Sequence, residues 1–321
     1  MNKKKTTTKG TKKLISVVLP CYNEEGNVEK ISNEIIKLFE TELKKYKYEI
    51  IFIDNDSKDD TRNILRRLCK KNKNIKAIFN AKNFGQFNSP YYGLLQINGD
   101  AAISMASDFQ DPVYLITEFI RAWEDGYKIA IGVRNSSTDN AVLKFLKKIY
   151  YNLIKKFSNV DQIKMFTGFG LYDKDFINIL RKLDDPTPFL RGIVAEFGYK
   201  RKEIPFVQGR RISGKTSNNL YSLYDAAMLS FTSYTKIGLR LATFIGAIAF
   251  IISFAIGLIY LIMKLIWWDR FQAGMIPILL GMLFLGSVQI FFIGIIGEYV
   301  LAINQRSMKR PLVIEEERIN F

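Results

Sequence analysis

The chain contains no histidine and only two cysteines, Cys21 and Cys69. Without histidine there is no His-ligated zinc, no His-held haem, no Ser-His-Asp triad and no imidazole base. Two thiols build neither a disulfide framework nor a metal quartet, which suits a reducing compartment. No G-x-G-x-x-G opens the first helical pattern, so a dinucleotide lacks its glycine cradle. Negative charge is also scarce, with 31 Asp+Glu against 47 Lys+Arg and a formal charge of +16. Nucleic acid is one partner for such a balance, but no basic motif interleaved with stacking aromatics supports it, and none is expected. The 321 residues suffice for one large domain or two ordinary ones.

A mean hydropathy of +0.00 beside 24% charged residues averages two unlike parts. Leu241 to Met263 is a run of 23 uncharged residues and Phe271 to Gly297 a run of 27. At ~1.5 Å per helical residue either exceeds a hydrocarbon core of about 30 Å. Pro277 lies near the start of the second run, where a missing backbone donor costs least. The short linker between them holds Trp267 and Trp268, as an interfacial aromatic belt would. Lys236 and Arg240 precede the first run, and Arg306, Lys309 and Arg310 follow the second. The positive-inside bias predicts both flanks on the cytoplasmic side of a cell membrane, with no signal peptide in the Lys-rich start.

Residues 14–134 alternate short β-branched runs with helical patterns. Leu14–Leu19, Tyr48–Ile53, Ile75–Phe79, Ala101–Met105 and Lys128–Val133 read as buried strands. Glu29–Leu43, Thr61–Cys69, Gln86–Asn98 and Pro112–Asp125 read as helices between them. This alternation predicts an α/β fold with a mainly parallel, Rossmann-like sheet covered on both faces. In such sheets ligands bind beyond the carboxyl ends of the strands. Those ends here are Cys21-Tyr22-Asn23-Glu24, Asp54-Asn55-Asp56-Ser57 and Ser107-Asp108-Phe109-Gln110-Asp111. Each Asp or Asn singly also suits a helix N-cap, which does not account for their convergence. Clustered carboxylates need a cation or N–H donors among them. Asp108 and the Gln110 carbonyl suit Mg²⁺ or Mn²⁺ on a diphosphate.

Gly209-Arg210-Arg211-Ile212-Ser213-Gly214-Lys215-Thr216 matches G-x-x-x-x-G-K-[ST] letter for letter. A P-loop, however, needs a following helix and further parallel strands with a Walker B Asp. Only an amphipathic helix and then the apolar runs lie downstream, so the stretch reads as an anion-binding loop facing the bilayer, or as a purely structural one. Two basic amphipathic stretches, Asp139–Val160 and Leu220–Tyr234, suit the headgroup layer or packing on the sheet.

Val17–Glu25 (VVLPCYNEE), Phe52–Asp60 (FIDNDSKDD), Asn83-Phe84-Gly85, Ser104–Pro112 (SMASDFQDP), Phe189–Glu196 (FLRGIVAE) and Arg211–Lys215 resemble the inverting family-2 glycosyltransferases of GT-A fold. Within that family the chain is similar to polyprenyl-phosphate glycosyltransferases related to dolichol-phosphate mannose synthase. It is most similar to bacterial enzymes that load glucose from UDP-glucose onto undecaprenyl phosphate for cell-surface polysaccharide modification. The resemblance runs from residue 14 to 305. It implies a basic tail at 1–13, a catalytic domain at 14–215 and an interfacial helix at 216–236. Two spans within 237–305 follow (241–263 and 273–297), and then a cytoplasmic tail at 306–321.

The resemblance also implies roles. Pro20, Tyr22, Asn23, Glu24, Asp54 and Asp56 border the nucleotide, with Asp54 meeting the base. Asp108 and Gln110 hold the metal, and Arg134 lies near the phosphates. Arg211, Ser213 and Lys215 grip the lipid phosphate, so Asp108, Arg134, Arg211 and Lys215 form the catalytic set. The partners are then a nucleotide sugar, polyprenyl phosphate, the bilayer and a second copy of the chain in a homo-oligomer. Three departures stand out. Ala106 occupies a position often Asp in relatives, Asn55-Asp56 replaces the usual Asp-Gly, and Thr167-Gly168-Phe169-Gly170-Leu171 stands for Gly-Asp-Phe-Arg-Leu. The missing carboxylate and guanidinium leave no obvious catalytic base. A phosphate monoester, with its second pKa near 6, hardly needs one. Other readings are a transferase of mannose or another sugar, an inactive nucleotide-sugar-binding scaffold, and a processive synthase, whose Q-x-x-R-W motif is absent.

Overall fold

A computed structural model describes residues 12–135, 163–209, 225, 228–229, 231–235, 237–267 and 275–321. They fall into two compact units, one ending at Asn218 and resuming at Lys309, the other containing the apolar helices up to Met308.

In the first unit the β-branched runs form β1 (Leu14–Cys21), β2 (Lys47–Asp54), β3 (Ile75–Asn80), β4 (Ala101–Ser104) and β5 (Ile129–Arg134). Both faces of these strands are covered, which is why they read as unbroken apolar runs. Ile15, Val17, Leu19, Ile50 and Phe52 pack on one side with α1 (Val28–Thr41), α2 (Thr61–Lys71) and α4 (Leu115–Glu124). Val18, Ile51, Ile53 and Ile78 pack on the other with α3 (Gly85–Leu95), α5 (Lys174–Leu183) and α6 (Leu190–Glu196). Each such side chain, fully buried, contributes roughly 1.5–3 kcal/mol.

The sheet is mainly parallel, as expected, with antiparallel members, in the order β7-β5-β6-β4-β1-β2-β3-β8. β1 is parallel to β2 and β4, and β2 to β3. β6 (Phe166–Asp173) is wedged antiparallel between β4 and β5, and β7 (Arg201–Phe206) runs parallel to β5. Strand β6 escaped the sequence reading because two glycines interrupt its apolar pattern. They are needed there: Gly168 has φ +102, and a Cβ on Gly170 would sit 2.5 Å from the Ala130 carbonyl oxygen. An arginine at 170, as in the resembling motif, therefore has no room on this backbone.

The stretch 306–321, expected to be a tail, instead carries β8 (Glu315–Ile319), antiparallel to β3. Its sequence, EEERI, lacks the apolar alternation that marks a strand. Charge holds it on the sheet edge: Arg62 pairs with Glu316 at 2.8 Å and Arg66 with Glu317 at 2.7 Å. Asn320 Nδ2 donates to the carbonyls of Cys69 (2.7 Å) and Ile75 (2.8 Å).

The second unit holds α7 (Ile237–Ile266) and α8 (Met275–Ser307), 30 and 33 residues long. Their apolar windows, Leu239–Ile259 and Phe284–Ser307, are long and apolar enough to cross a membrane by length and composition. The second window lies farther along the chain than the 273–297 expected. Within this unit the Tyr299 hydroxyl donates to the Thr235 carbonyl at 2.9 Å, and Arg306 Nη2 donates to Ser233 Oγ at 2.8 Å. The amphipathic stretch Asp139–Val160 lies outside the described residues, as do most of 216–236 and all of residues 1–11.

Replacing Gly170 by Ala forces its new methyl onto the β5 backbone. The expected outcome is a destabilisation of about 1–3 kcal/mol, read as a lowered thermal midpoint in detergent solution; an unchanged midpoint would contradict the close approach.

Candidate active site

The chain runs outward from β1 through β2 and β3, then returns to β4 on the opposite side of β1. Such a reversal opens a crevice beyond the carboxyl ends of the strands. Short bonds tie the crevice loops together. The Asn55 N–H donates to the Cys21 carbonyl at 3.0 Å, and Ser107 Oγ donates to the Pro20 carbonyl at 2.9 Å. The Asn23 N–H donates to Ser57 Oγ at 2.9 Å, while Asn23 Oδ1 accepts from the Lys58 N–H at 2.8 Å.

Several expected nucleotide-side residues thus brace loops. Asn23 and Asp56 hold positive φ values of 57° and 69°. Buried Glu24 accepts from Asn27 Nδ2 at 2.5 Å, and Asp56 pairs with Lys58 at 2.8 Å. Tyr22 is exposed. Asn55 is explained by what it touches. Its Nδ2 donates to Asn83 Oδ1 at 2.9 Å, while its Oδ1 accepts from the Phe84 N–H (2.9 Å) and Asn80 Nδ2 (3.1 Å). An aspartate could not donate.

Asp54 is fully buried. Its Oδ2 accepts from Arg62 Nε at 2.7 Å and from the Ser57 N–H at 3.2 Å. Its Oδ1, also buried, has no hydrogen bond among the described residues. The repulsion expected among these carboxylates is thus partly relieved by the protein's own Arg62. The remaining negative field is still strong. Burial, followed by Asp54, Glu24 and Asp59, pushes the Cys21 thiol well above its usual range, which makes it a packing group rather than a nucleophile.

The turn after β4 carries buried Asp108, whose Oδ1 accepts from the Gln110 N–H at 3.1 Å. Asp111 closes the turn by accepting from the Ala106 N–H at 2.9 Å. Burial pushes the Asp111 carboxyl up to about 6, against the lowering effects of the Ala106 N–H and the Arg134 charge. Gln110 is engaged twice: its backbone carbonyl accepts from the Gly209 N–H at 3.1 Å, and its Oε1 from Gln208 Nε2 at 2.7 Å. Gly209 is obligatory, because a Cβ there would lie 2.5 Å from the Phe109 carbonyl oxygen. Gly209, the residue before the basic run Arg210–Lys215, is therefore anchored on the Asp108 turn. Arg211, Ser213 and Lys215 themselves lie outside the described residues.

No group of three or more His, Cys, Asp or Glu able to hold a metal occurs among the described residues. One carboxylate and one amide oxygen, from Asp108 and Gln110, make a sparse donor set. It suits a hard cation that shares its coordination with phosphate and water.

Beside this turn a cleft of about 240 Å³ is lined by Pro20, Ala106, Asp111, Arg134, Gly168 and Arg191, among others. The Arg191 guanidinium lies 5.0 Å from the centre of the Phe189 ring and 5.9 Å from that of Phe87. With Ala106 and Gly168 in its wall, the cleft lacks carboxylates at the two positions where the resemblance would put them. Arg62, Asp111 and Arg191 were not singled out in the sequence. Arg62 sits in a charged helical run that reads as a solvated face, and the other two lie inside resembling motifs without a distinguishing pattern.

Comparison with known proteins finds the Glycosyl transferase family 2 profile matching residues 16–198. The putative glycosyltransferase CsbB of Bacillus subtilis is 33% identical over 307 residues, covering 95% of this chain and 92% of that protein. The bactoprenol glucosyl transferase of Shigella phage SfV is 30% identical over 306 residues, covering 95% and 99% respectively. Among solved structures, mannosyl-3-phosphoglycerate synthase from Rubrobacter xylanophilus is similar with a TM-score of 0.48 and 16% identity, over 67% of this chain and 71% of that one. A profile match over more than half of the chain, joined to near-full-length relatives at 30–33% identity, means that this chain belongs to glycosyl transferase family 2.

Proposed function

We propose that the protein transfers a glucosyl unit from a nucleotide sugar, UDP-glucose, to undecaprenyl phosphate at the cytoplasmic face of a membrane. The observation that carries this reading is the Gly209-to-Gln110 hydrogen bond, which starts the basic run Arg210–Lys215 on the turn bearing Asp108. An anion-gripping run thus follows directly in the chain on a glycine bonded to the Asp108 turn. Bactoprenol glucosyl transferases among the relatives support both the sugar and the lipid acceptor.

In this reading the buried, unpartnered Oδ1 of Asp54 accepts an N–H of the base, with Pro20 bordering the nucleoside. Asp108 and Gln110 would hold Mg²⁺ or Mn²⁺, which supplies charge for the departing diphosphate. Arg134 offsets the diphosphate charge from the cleft wall, while Arg211, Ser213 and Lys215 hold the acceptor phosphate in line for attack. That phosphate is already largely ionised at neutral pH, so the absence of carboxylates at Ala106 and Gly168 is no obstacle. The apolar helices α7 and α8 serve as the anchor. The chain up to Asn218 (save Asn152–Val160) and the segment from Lys309 that carries β8 belong to one unit, so the chain leaves that unit before the two apolar helices and returns to it after them, which supports a two-span hairpin.

A scaffold that binds nucleotide sugar without turnover is the second reading, favoured by Ala106 and Gly168. Purified protein given labelled UDP-glucose, undecaprenyl phosphate and Mg²⁺ is expected to yield lipid-extractable label. Binding of UDP without label, across a panel of nucleotide sugars, would favour the scaffold.

Asp108→Ala is expected to lower turnover by about 100-fold or more while the fold is kept, measured by the same assay. For Arg211→Ala the expected change is a rise of about tenfold in KM for the lipid with donor KM little altered, the loss of one charge-assisted bond. Gly209→Ala, which pushes the loop off the Asp108 turn, should reduce turnover without removing UDP binding; wild-type turnover would show that the contact is dispensable.

A further inference from the structure

Strand β8 presents three consecutive glutamates with separate partners. Glu315 accepts from the Tyr92 hydroxyl at 2.8 Å, Glu316 from Arg62 Nη1 at 2.8 Å, and Glu317 from Arg66 Nη2 at 2.7 Å. Only the second contact leads to the crevice. Arg62 also donates through Nε to Asp54 Oδ2 at 2.7 Å and through Nη2 to the Asn80 carbonyl at 2.6 Å, with its guanidinium 5.6 Å from the centre of the Phe79 ring. All three of its nitrogens are thus engaged, by the end of β2, the end of β3 and the last strand of the sheet.

A guanidinium is a rigid fork, so three bonds in three directions leave its plane no freedom. Asp54 inherits that constraint. With Oδ2 held against Arg62, its other oxygen is left buried and without a partner, the state of a group waiting for a donor. An exposed pair such as Arg62–Glu316, whose acid side chain is 55% exposed, contributes little to stability. Its leverage lies in orientation.

We propose that Glu316 and Arg62 are positioning residues that set the orientation of the Asp54 carboxylate, so that the strand following the second apolar helix tunes the affinity of the nucleotide site. The inference rests on the proposed contact between Asp54 and the base. It makes β8 a working part of the donor site rather than an edge cover.

Full-length protein in detergent is titrated with UDP by calorimetry, and steady-state constants are measured for donor and lipid. Glu316→Gln is expected to raise the UDP Kd and the donor KM about threefold. Arg62→Lys, which keeps the charge but not the three directions, should raise them about tenfold. In both, kcat at saturating donor and KM for the lipid stay near wild type. Glu317→Gln, which loses an equivalent pair on the same strand, is the control and leaves UDP binding unchanged. An equal rise in Glu317→Gln would mean that the strand acts only through general stability, and would overturn the relay. So would wild-type UDP affinity in Glu316→Gln alongside weakened binding in Asp54→Ala. Wild-type affinity in Asp54→Ala itself would instead remove the base contact, and the relay with it. Should Arg62→Lys fail to fold, the comparison of Glu316→Gln with Glu317→Gln decides alone.

Discussion

Strand β1 has a parallel neighbour on each side, β2 and β4, and the crevice groups take their places from its carboxyl end. The chain reverses its direction of travel across β1, running out through β2 and β3 and returning to β4 on the other side, and such a reversal opens a crevice beyond the carboxyl ends of the strands. Cys21 lies opposite Asp54 in the β1–β2 register, while Ser107 bonds back to the Pro20 carbonyl. A one-residue slip of β1 would turn its core residues to the wrong face and carry both carboxylate-bearing loops out of place. Burial of Ile15, Val17 and Leu19 on one side and Val18 on the other prevents that slip.

Charge is managed by location. The chain is strongly cationic overall, yet its strand ends are acidic, and each buried acid has its own arrangement. Asp54 meets Arg62, Asp111 meets a backbone N–H and the field of Arg134, and Asp108 meets the Gln110 N–H. Beyond burial, which does most to raise the Cys21 thiol, Asp54, Glu24 and Asp59 raise it further. A ligand with N–H donors and a cation-bearing diphosphate is electrostatically suited to such a place.

The edge strand β8 ties the far end of the chain to this chemistry. Edge strands are usually blunted with charge to prevent pairing with other molecules, and the glutamates of β8 do so. Through Arg62 one of them, Glu316, also reaches a carboxylate of the crevice. The same interactions explain why a segment of such polarity forms a strand at all. Backbone pairing with β3 and ion pairs with α2 substitute for an apolar face.

Much of this was legible in the chain. Apolar runs such as Tyr48–Ile53 and amphipathic patterns such as Thr61–Cys69 are local signals, and each became the expected element because burial acts on side chains at a fixed period. The apolar runs of α7 and α8 were equally plain, as was the family, through contiguous motifs. Less legible were β6, whose glycines answer to the Ala130 carbonyl, and β8, whose glutamates answer to α2. The roles of Asn55, Arg62 and Gly209 depended likewise on atoms far away in sequence. The positions of β1 to β5, of the helices between them and of the acidic strand ends follow from periodicity and composition, which are properties of neighbours in the chain. Which acid oxygen stays open, which acids are already paired and which turn Gly209 meets emerge from the folded chain. Several of those outcomes are set by contacts between distant segments, as between Arg62 and Glu316 or Gly209 and Gln110.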